Sequence, residues 1–173
     1  MLTTRCPGLR DRLIDRVAEA ARAPMAERPA AVAEALAEAA TAPTLLDGLE
    51  CPEDPACYCR HLLHADPAGA YAIVALVWRP GQMSPVHAHR TWCALAVHQG
   101  LLTETFYRAP EAGSEPETLA ALLRRPGEGS HGPADPAKLH RIANLGCRTA
   151  VSIHVYGARY ERFGQDVNLV YAA

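Results

Sequence analysis

The sequence predicts a mainly β protein in which a small β-sandwich or barrel follows two N-terminal α-helices. The first 45 residues contain two segments with the periodicity or composition of helices. After about residue 55 the chain changes to short β-branched and aromatic runs separated by Pro and Gly. A chain of 173 residues is long enough for one domain and short for two, so we expect a single domain over 1–173.

The sequence predicts two helices in the N-terminal segment, 1–45. Residues 9–22 carry apolar side chains at four-residue steps between charged ones, which is typical of an amphipathic helix, and Pro24 ends the segment. The Ala-rich residues 29–41 begin at a proline, which suits a first helical turn, and stop before Pro43. We expect this segment to pack on the barrel formed by 55–173.

Short β-branched and aromatic runs predict the strands. They lie at 70–79, 92–100, 101–108 and 149–157 and in the C-terminal segment VNLVYAA. The stretches 110–118 and 125–136 are rich in Gly and Pro and have no periodicity, so we predict turns or surface loops there.

Composition narrows the class of partner. The formal net charge is −2 and charges are scattered along the chain, which predicts binding to neither nucleic acid nor an anionic membrane. Charges interrupt the N-terminus and no apolar stretch is long enough to span a bilayer, so we expect a soluble, cytoplasmic protein with reduced thiols at its six cysteines. Small molecules are the expected partners, and a monomer is compatible with the sequence.

The clearest chemical signal is the stretch SPVHAHRTW, residues 84–92. On an extended chain His87 and His89 project from one side, whereas Ala88 faces away. Two imidazoles on one face indicate a metal site, although single histidines can also lie in a β-rich region without a ligand.

The spacing around this pair resembles the first sequence motif of the cupin barrels, Gly-x5-His-x-His-x3-Cys-x6-Gly from Gly81 to Gly100. Cys93 stands where many cupins have a glutamate ligand. Further on, His140 and Asn144 resemble the end of the second motif, which supplies the last ligand from a facing strand. The resemblance implies a cupin, jelly-roll-like β-barrel in which His140 joins the histidine pair around one ion.

Three segments, WRPGQMSPVHAHRTW, LHRIAN and AVSIHVYG, together resemble the cysteine dioxygenase, or thiol dioxygenase, branch of the cupins. The similarity runs from about residue 56 to the C-terminus. These enzymes hold Fe(II) on three histidines and add both atoms of O2 to the sulfur of a small thiol, giving a sulfinate. The resemblance implies Fe(II) as the cofactor, His87, His89 and His140 as its ligands, and a small thiol and O2 as the partners.

The family also carries a Ser-x-His-x-Tyr strand, present here as Ser152, His154 and Tyr156. Period-two spacing aims all three side chains at one face, where they can form one hydrogen-bonded chain. The resemblance implies that this chain fixes the Tyr156 hydroxyl close to the metal. The alternative is a polar stripe inside a barrel.

The segment ACYCRHLLHADPAGAY resembles the family's strand that presents an arginine to the substrate carboxylate, with Tyr58 and Arg60 at the matching positions. A guanidinium fork suits a carboxylate because two parallel N–H donors meet two oxygens. Arginine at this place implies L-cysteine as the substrate, whereas glutamine would indicate 3-mercaptopropionate. An exposed Arg60 in a surface ion pair is the alternative.

Two positions depart from the family pattern. Ala88 stands where the family commonly has aspartate, which removes a contact that could orient the ligand strand. Cys93 stands where bacterial members usually have glycine, and one residue nearer the histidine pair than the cysteine that animal enzymes link to the tyrosine matching Tyr156. An inward Cys93 could form that thioether or become a low-pKa thiolate, whereas an outward Cys93 is simply a small buried hydrophobe. We favour the plain buried thiol.

Other functional interpretations stay open. A zinc site of Cys51, Cys57 and Cys59 with His61 or His64 lacks paired Cys-x2-Cys elements and is disfavoured. Arg159 and Arg162 are a second carboxylate contact or an ordinary solvated pair.

The alternatives to a cysteine dioxygenase are a dioxygenase for 3-mercaptopropionate or another thiol acid, and a metal-binding cupin without catalysis that serves as a ligand-binding or sensor module.

Overall fold

The computed structural model describes residues 8–109 and 115–171, so Cys6 lies outside the described residues. The helices are α1 (Leu9–Ala20), α2 (Arg28–Ala40) and α3 (Phe163–Asp166), with a 3-10 turn at Tyr160–Arg162. The strands are β1 (Cys59–Ala65), β2 (Ala72–Trp78), β3 (His87–His89), β4 (Cys93–Gln99), β5 (Leu102–Arg108), β6 (Glu117–Arg124), β7 (Gly129–Gly132), β8 (Asp135–Ala143), β9 (Ala150–Tyr156) and β10 (Asn168–Val170). The predicted mainly β class with two N-terminal helices is confirmed.

The strands form two five-stranded sheets, in the orders β1-β2-β9-β4-β7 and β10-β3-β8-β5-β6. Neighbouring strands within each sheet run antiparallel. Because consecutive strands such as β3 and β4 lie in different sheets, the chain crosses repeatedly from one sheet to the other. The two sheets enclose an apolar interior that includes Leu76, Leu95 and Ile142.

The first sheet is covered on its outer face by α1 and α2. Their apolar sides, including Val17 and Leu36, share one hydrophobic cluster with Ile73 on β2 and Ile153 on β9. The central strands are therefore buried on both faces, which explains why β2 is buried along its whole length. Strands buried on both faces read as continuous hydrophobic runs, as AIVALVW does here.

Alternation along the central strands decides which side chains enter the barrel. On β9, Val151 and Val155 point to the helices, whereas Tyr156 belongs to the interior cluster between the sheets. On β4, Ala94 faces the helices and Cys93 faces the interior. The period of two that the sequence shows therefore sends one set of residues to the helix layer and the other to the cavity.

The prediction of a loop over 125–136 is wrong, because β7 occupies Gly129–Gly132 and β8 begins at Asp135. The glycines that suggest a loop here serve a strand. A Cβ on Gly129 would lie 1.8 Å from the carbonyl oxygen of Leu95, so only glycine lets β7 approach β4 this closely.

The predicted loop over 110–118 is also too long at its end, since β6 begins at Glu117. Residues 110–114 lie outside the described residues.

Two glycines of the histidine motif hold turns that other residues would strain. Gly81 has φ +83° and Gly100 has φ +76°, in the left-handed region. At Gly100 a Cβ would also lie 2.9 Å from Cα of Ala150. These glycines end the segments on either side of β3 and β4, so they fix the positions of both strands.

No helix in the described part of the chain is long and apolar enough to cross a membrane.

Candidate active site

Three histidines meet inside the barrel. His87 and His89 lie on β3 and His140 lies on the neighbouring strand β8, directly opposite His87. All three are buried, their ligand atoms lie within 4.8 Å of one another, and their ring centroids are 4.6–5.1 Å apart. Across the described residues this is the one group of three or more ligating side chains close enough to hold an ion. Cys51, Cys57 and Cys59 therefore form no such group with His61 or His64.

The hydrogen bonds of the rings leave nitrogen lone pairs turned toward one point. Nδ1 of His87 lies 3.0 Å from the carbonyl oxygen of Pro85, to which it can only donate. Nδ1 of His140 donates to Glu104 Oε1 at 2.9 Å. A neutral ring that donates from Nδ1 has its lone pair on Nε2, and Nε2 of His140 lies 3.0 Å from Nε2 of His89. Three imidazole nitrogens converging in this way fit a metal ion.

The surroundings of the cluster keep His87 and His89 neutral. Burial lowers the pKa of His87 to about 4 and that of His89 to about 2, and in both cases nearby His140 lowers it further. Metal ligation needs the neutral imidazole, because a protonated ring has no lone pair to give. At neutral pH His87 and His89 are therefore in the form that binds a divalent ion.

Glu104, on β5, is a functional residue that the sequence reasoning missed. Its side chain is 0% exposed, and besides His140 it accepts hydrogen bonds from Ser130 Oγ at 2.6 Å and Arg124 Nε at 2.9 Å. Burial raises the pKa of Glu104, but the hydrogen bonds and charge of its partners lower it more, so it stays ionised. The available signal was a glutamate two residues from Leu102, on the side of the strand that period two buries.

The residues Ser152, His154 and Tyr156 form one hydrogen-bonded chain, as their spacing predicts. Ser152 Oγ lies 2.7 Å from His154 Nε2, and His154 Nδ1 lies 2.9 Å from the Tyr156 hydroxyl. Trp78 extends the chain, because its Nε1 donates to Ser152 Oγ at 2.9 Å. The Tyr156 ring reaches the histidine cluster, with its centroid 5.7 Å from that of His89.

Both titratable members of this chain are held neutral. Burial lowers the pKa of His154 well below its usual value, and the positive charge of Arg60 lowers it further. Burial raises the pKa of Tyr156. The hydrogen bonds that join Ser152, His154 and Tyr156 therefore connect neutral groups.

Arg60 and Tyr58 border the same cavity as the histidines. Arg60 lies on β1 with its guanidinium carbon 5.5 Å from the centre of the Phe163 ring. Its Nε is buried without a hydrogen-bond partner among the described residues, so this donor is available to a ligand. Tyr58 stacks on Trp78 with ring centroids 4.3 Å apart.

One cavity brings most of the predicted residues together. Its lining contains the three histidines, both residues of the arginine strand, Cys93, and the last two members of the serine chain (Tyr58, Arg60, His87, His89, Cys93, His140, His154 and Tyr156). Ser152 lies behind His154, one hydrogen bond from the cavity.

Cys93 points inward and lies directly opposite Tyr156 on the adjacent strand. Burial raises the pKa of the Cys93 thiol to about 12, and the nearby carboxylate of Glu104 raises it further. The low-pKa thiolate is therefore wrong for this thiol, because burial without a cationic partner disfavours the charged form.

Ala88 packs among apolar side chains, and Asn144 forms hydrogen bonds to the backbone. Ala88 is 0% exposed and packs with Val86 and Leu139 on the far side of β3, where an aspartate would meet apolar side chains. Asn144 donates to the carbonyl oxygens of Trp78 and Arg148, so it ties the end of β8 to its neighbours.

The two C-terminal arginines lie outside the cavity that Arg60 lines. Arg162 pairs with Asp166 at 3.0 Å and is exposed, which matches an ordinary solvated ion pair. Arg159 covers Gly69, where an added Cβ would lie 2.5 Å from its Nε.

Several solved structures are similar to this chain in fold. A mutant of Bacillus subtilis oxalate decarboxylase matches with a TM-score of 0.50 and 16% identity, over 70% of this chain and 30% of that chain. A protein with a double-stranded β-helix domain from Klebsiella pneumoniae matches with a TM-score of 0.49 and 15% identity, over 70% and 90%. A cupin domain of an Enterobacter cloacae transcriptional regulator has a TM-score of 0.44 and 16% identity, over 58% and 95%.

These likenesses concern the fold alone, and the two antiparallel sheets with two N-terminal helices agree with the predicted β-barrel. The family is established by sequence. A family model described as cysteine dioxygenase type I matches residues 50–165, well over half of the chain, and this range contains all of the residues that line the cavity except Asn168. The chain therefore belongs to the cysteine dioxygenase type I family.

Proposed function

We propose that this protein is an iron-dependent thiol dioxygenase that oxidises L-cysteine with O2 to its sulfinate. The observation that supports this most strongly is one cavity lined by three histidines, an arginine with an unpartnered donor, and a tyrosine at the end of a buried hydrogen-bond chain. In the reaction the S–H and O–O bonds break, each oxygen atom forms a bond to sulfur, and the thiol proton is released. Sulfur is oxidised as O2 is reduced, so the balance needs no further reductant.

His87, His89 and His140 would hold the ion through nitrogen ligands that carry no charge. Fe(II) bound there would supply a cation that attracts the thiolate and activates O2. Glu104 orients the His140 ring and increases its basicity through the Nδ1 hydrogen bond. The missing carboxylate ligand leaves the full charge of the ion for an anionic substrate to neutralise.

Arg60 would bind the substrate carboxylate. The ring of Phe163 lies on one side of its guanidinium, which limits the directions in which the side chain can move. The positive charge of Arg60 also reaches His154 and His87, whose pKa values it lowers, so the arginine lies close enough to act in the same site. A ligand held by its carboxylate at Arg60 can place a thiol two or three bonds away near the histidine cluster.

Tyr156 would position oxygen and the thiol by hydrogen bonding. Its hydroxyl is held by His154, and burial keeps it protonated throughout the physiological pH range. A neutral hydroxyl at this place can donate a hydrogen bond to an anionic reactant without losing its own proton.

Oxygen uptake by the Fe(II)-loaded protein tests the proposal. The thiols to compare are L-cysteine, 3-mercaptopropionate and cysteamine, with each sulfinate product identified by mass spectrometry. We expect one O2 consumed per cysteine sulfinate formed, and little turnover of cysteamine because it lacks the carboxylate.

A preference for 3-mercaptopropionate would overturn the choice of substrate and leave thiol dioxygenation intact. Iron-loaded protein that consumes no O2 with any of the three thiols would instead favour a metal-binding cupin without catalysis. His140→Ala is the matched control, since it removes one nitrogen ligand and should abolish both iron binding and uptake.

A further inference from the structure

The indole of Trp78 is a fixed hydrogen-bond donor at the start of the buried chain. Trp78 lies on β2, is 1% exposed, and its Nε1 is 2.9 Å from Ser152 Oγ. An indole N–H can donate and cannot accept. The hydrogen bond between Trp78 and Ser152 therefore has a fixed direction: the indole donates and the serine oxygen accepts.

Ser152 transmits that direction to His154. Its side chain is 0% exposed, and its two side-chain partners are Trp78 Nε1 and His154 Nε2. Since the oxygen accepts from the indole, the hydroxyl proton has one acceptor to point to, which is His154 Nε2. A proton on Nε2 would leave the serine hydroxyl without an acceptor in a buried place, which costs about 1–3 kcal/mol.

His154 then has its single proton on Nδ1. The ring is buried and neutral, so one nitrogen carries the proton and the other accepts. With Nε2 accepting from Ser152, Nδ1 donates to the Tyr156 oxygen 2.9 Å away. The proton of the Tyr156 hydroxyl then has no acceptor among the other members of the hydrogen-bonded chain.

We propose that Trp78 is a positioning residue that sets the tautomer of His154 and thereby leaves the Tyr156 hydroxyl as a donor into the histidine cavity. The indole N–H also keeps the serine proton from turning toward β2, because two donors would then face each other. Without the indole N–H the serine proton can turn away from His154, Ser152 can accept from Nε2, and Tyr156 would donate to Nδ1 and present only a lone pair to the cavity. The tautomer itself does not depend on any reaction, whereas its consequence for catalysis rests on the proposed function.

Nitrogen-15 NMR of the metal-free protein tests the tautomer directly. Couplings from the ring protons to each nitrogen of His154 distinguish a protonated Nδ1 from a protonated Nε2. In the wild-type protein we expect the proton on Nδ1. In Trp78→Phe, which keeps an aromatic ring against Tyr58 and removes the N–H, we expect at least part of the population to carry it on Nε2.

Trp92→Phe is the matched control, because Trp92 is the other tryptophan of the sequence, is also buried at 5% exposed, and lies outside the hydrogen-bond chain. It should leave the proton on Nδ1. A wild-type proton on Nε2, or an unchanged Nδ1 proton in Trp78→Phe, overturns the proposal. If Trp78→Phe does not fold, Ser152→Ala tests the same link by removing the donor to Nε2, and an unchanged tautomer there overturns it equally.

Turnover gives the second measurement. We expect Trp78→Phe to lower kcat by on the order of 10- to 100-fold, because the wrong tautomer misdirects a proton, with little change in KM for the thiol. A change confined to KM contradicts a positioning role. An inactive wild-type protein with the Nδ1 tautomer would refute the proposed function and leave the assignment of Trp78 standing.

Discussion

Cys93 and Tyr156 lie directly opposite each other on β4 and β9, with both side chains inside the barrel. Burial keeps both groups protonated, because it raises the pKa of Cys93 to about 12 and also raises that of Tyr156. The pair therefore consists of a neutral thiol beside a neutral phenol, and this determines how Cys93 should behave in solution.

We expect Cys93 to resist alkylation by iodoacetamide in the folded protein, because the reactive thiolate is disfavoured and the side chain is 6% exposed. Cys57 and Cys147 are exposed and should react readily. Peptide mapping by mass spectrometry after a short treatment gives the modified fraction at each site. Rapid labelling of Cys93 under native conditions would contradict the buried arrangement.

The intact mass decides whether Cys93 stays a thiol. We expect the freshly purified protein to have the mass of its sequence, since a thioether to Tyr156 requires an oxidant and removes two hydrogen atoms. A proteolytic digest of the wild-type protein is compared with the same digest of Cys93→Ala. A peptide joining the β4 and β9 segments, lighter by those two hydrogens and absent from Cys93→Ala, would show the cross-link instead.

Glu104→Gln should weaken metal binding by roughly 10- to 100-fold, because the amide cannot give His140 the same charge through its Nδ1 hydrogen bond. The variant keeps nearly the same shape, so the change concerns charge more than packing. Anaerobic Fe(II) titration against a chelator measures the affinity, and thermal unfolding of the metal-free protein checks the fold.

Glu117→Gln is the control for that substitution. Glu117 lies on the adjacent strand and pairs with Arg108 at 2.7 Å, with both side chains mostly exposed. It should bind iron as the wild type does. Equal affinity in Glu104→Gln and Glu117→Gln would mean that the buried carboxylate contributes nothing to the site.

Glu104 also shows where sequence reasoning reached its limit. The histidine pair and the serine, histidine and tyrosine of β9 are each set by a spacing of two within one strand, so local pattern predicts which side they occupy. Glu104 meets His140 across 36 positions of sequence, through strand pairing that no local pattern specifies. Trp78 likewise reaches Ser152 across 74 positions.

The strands likewise divide into those that the local sequence predicts and those that it does not. Strands β2, β4, β5 and β9 were predictable because their apolar or alternating runs are continuous. The short strand β7 was not, because its glycines are required by close approach to another strand and resemble a turn when only the sequence is read.

Ala88→Asp should destabilise the protein by about 3 kcal/mol, because a carboxyl group would be buried among Val86 and Leu139 without a partner. Urea unfolding of the metal-free protein measures the loss. Ala121→Asp, on the exposed strand β6, is the control and should change stability little. Unchanged stability in Ala88→Asp would imply that the far side of β3 can supply a polar partner.

The metal-free protein should lose stability as the pH falls below 6.5. His87 and His89 have folded pKa values of about 4 and about 2, below the usual 6.5. The unfolded chain therefore takes up protons that the folded protein refuses, and each such group removes up to about 1.4 kcal/mol per pH unit until its folded pKa is reached.

Urea unfolding at pH 7 and pH 5 measures this effect, and we expect His87 and His89 to lower the free energy of unfolding by about 4 kcal/mol between them. His154, whose pKa burial also lowers, adds to this loss. His89→Asn should flatten the dependence, because it removes one of the refused protons. His131→Asn, at an exposed histidine, should not. Equal stability at the two pH values would show that His87 and His89 are not held in the neutral form.

Arg60→Gln should shift substrate preference from L-cysteine toward 3-mercaptopropionate. Arg60 provides a permanent charge and a buried Nε without a partner, and a bidentate bond to a carboxylate depends on both. Glutamine keeps hydrogen-bonding capacity without the charge, so we expect KM for L-cysteine to rise by about 10- to 100-fold, corresponding to about 1.4–2.8 kcal/mol. Arg159→Gln, which changes an arginine outside the cavity, should leave both thiols unaffected. Steady-state oxygen uptake with each thiol gives the two ratios of kcat to KM. If Arg60→Gln retains the wild-type ratio between the thiols, another side chain must select the substrate, because the charge on Arg60 would then make no difference to which carboxylate is bound.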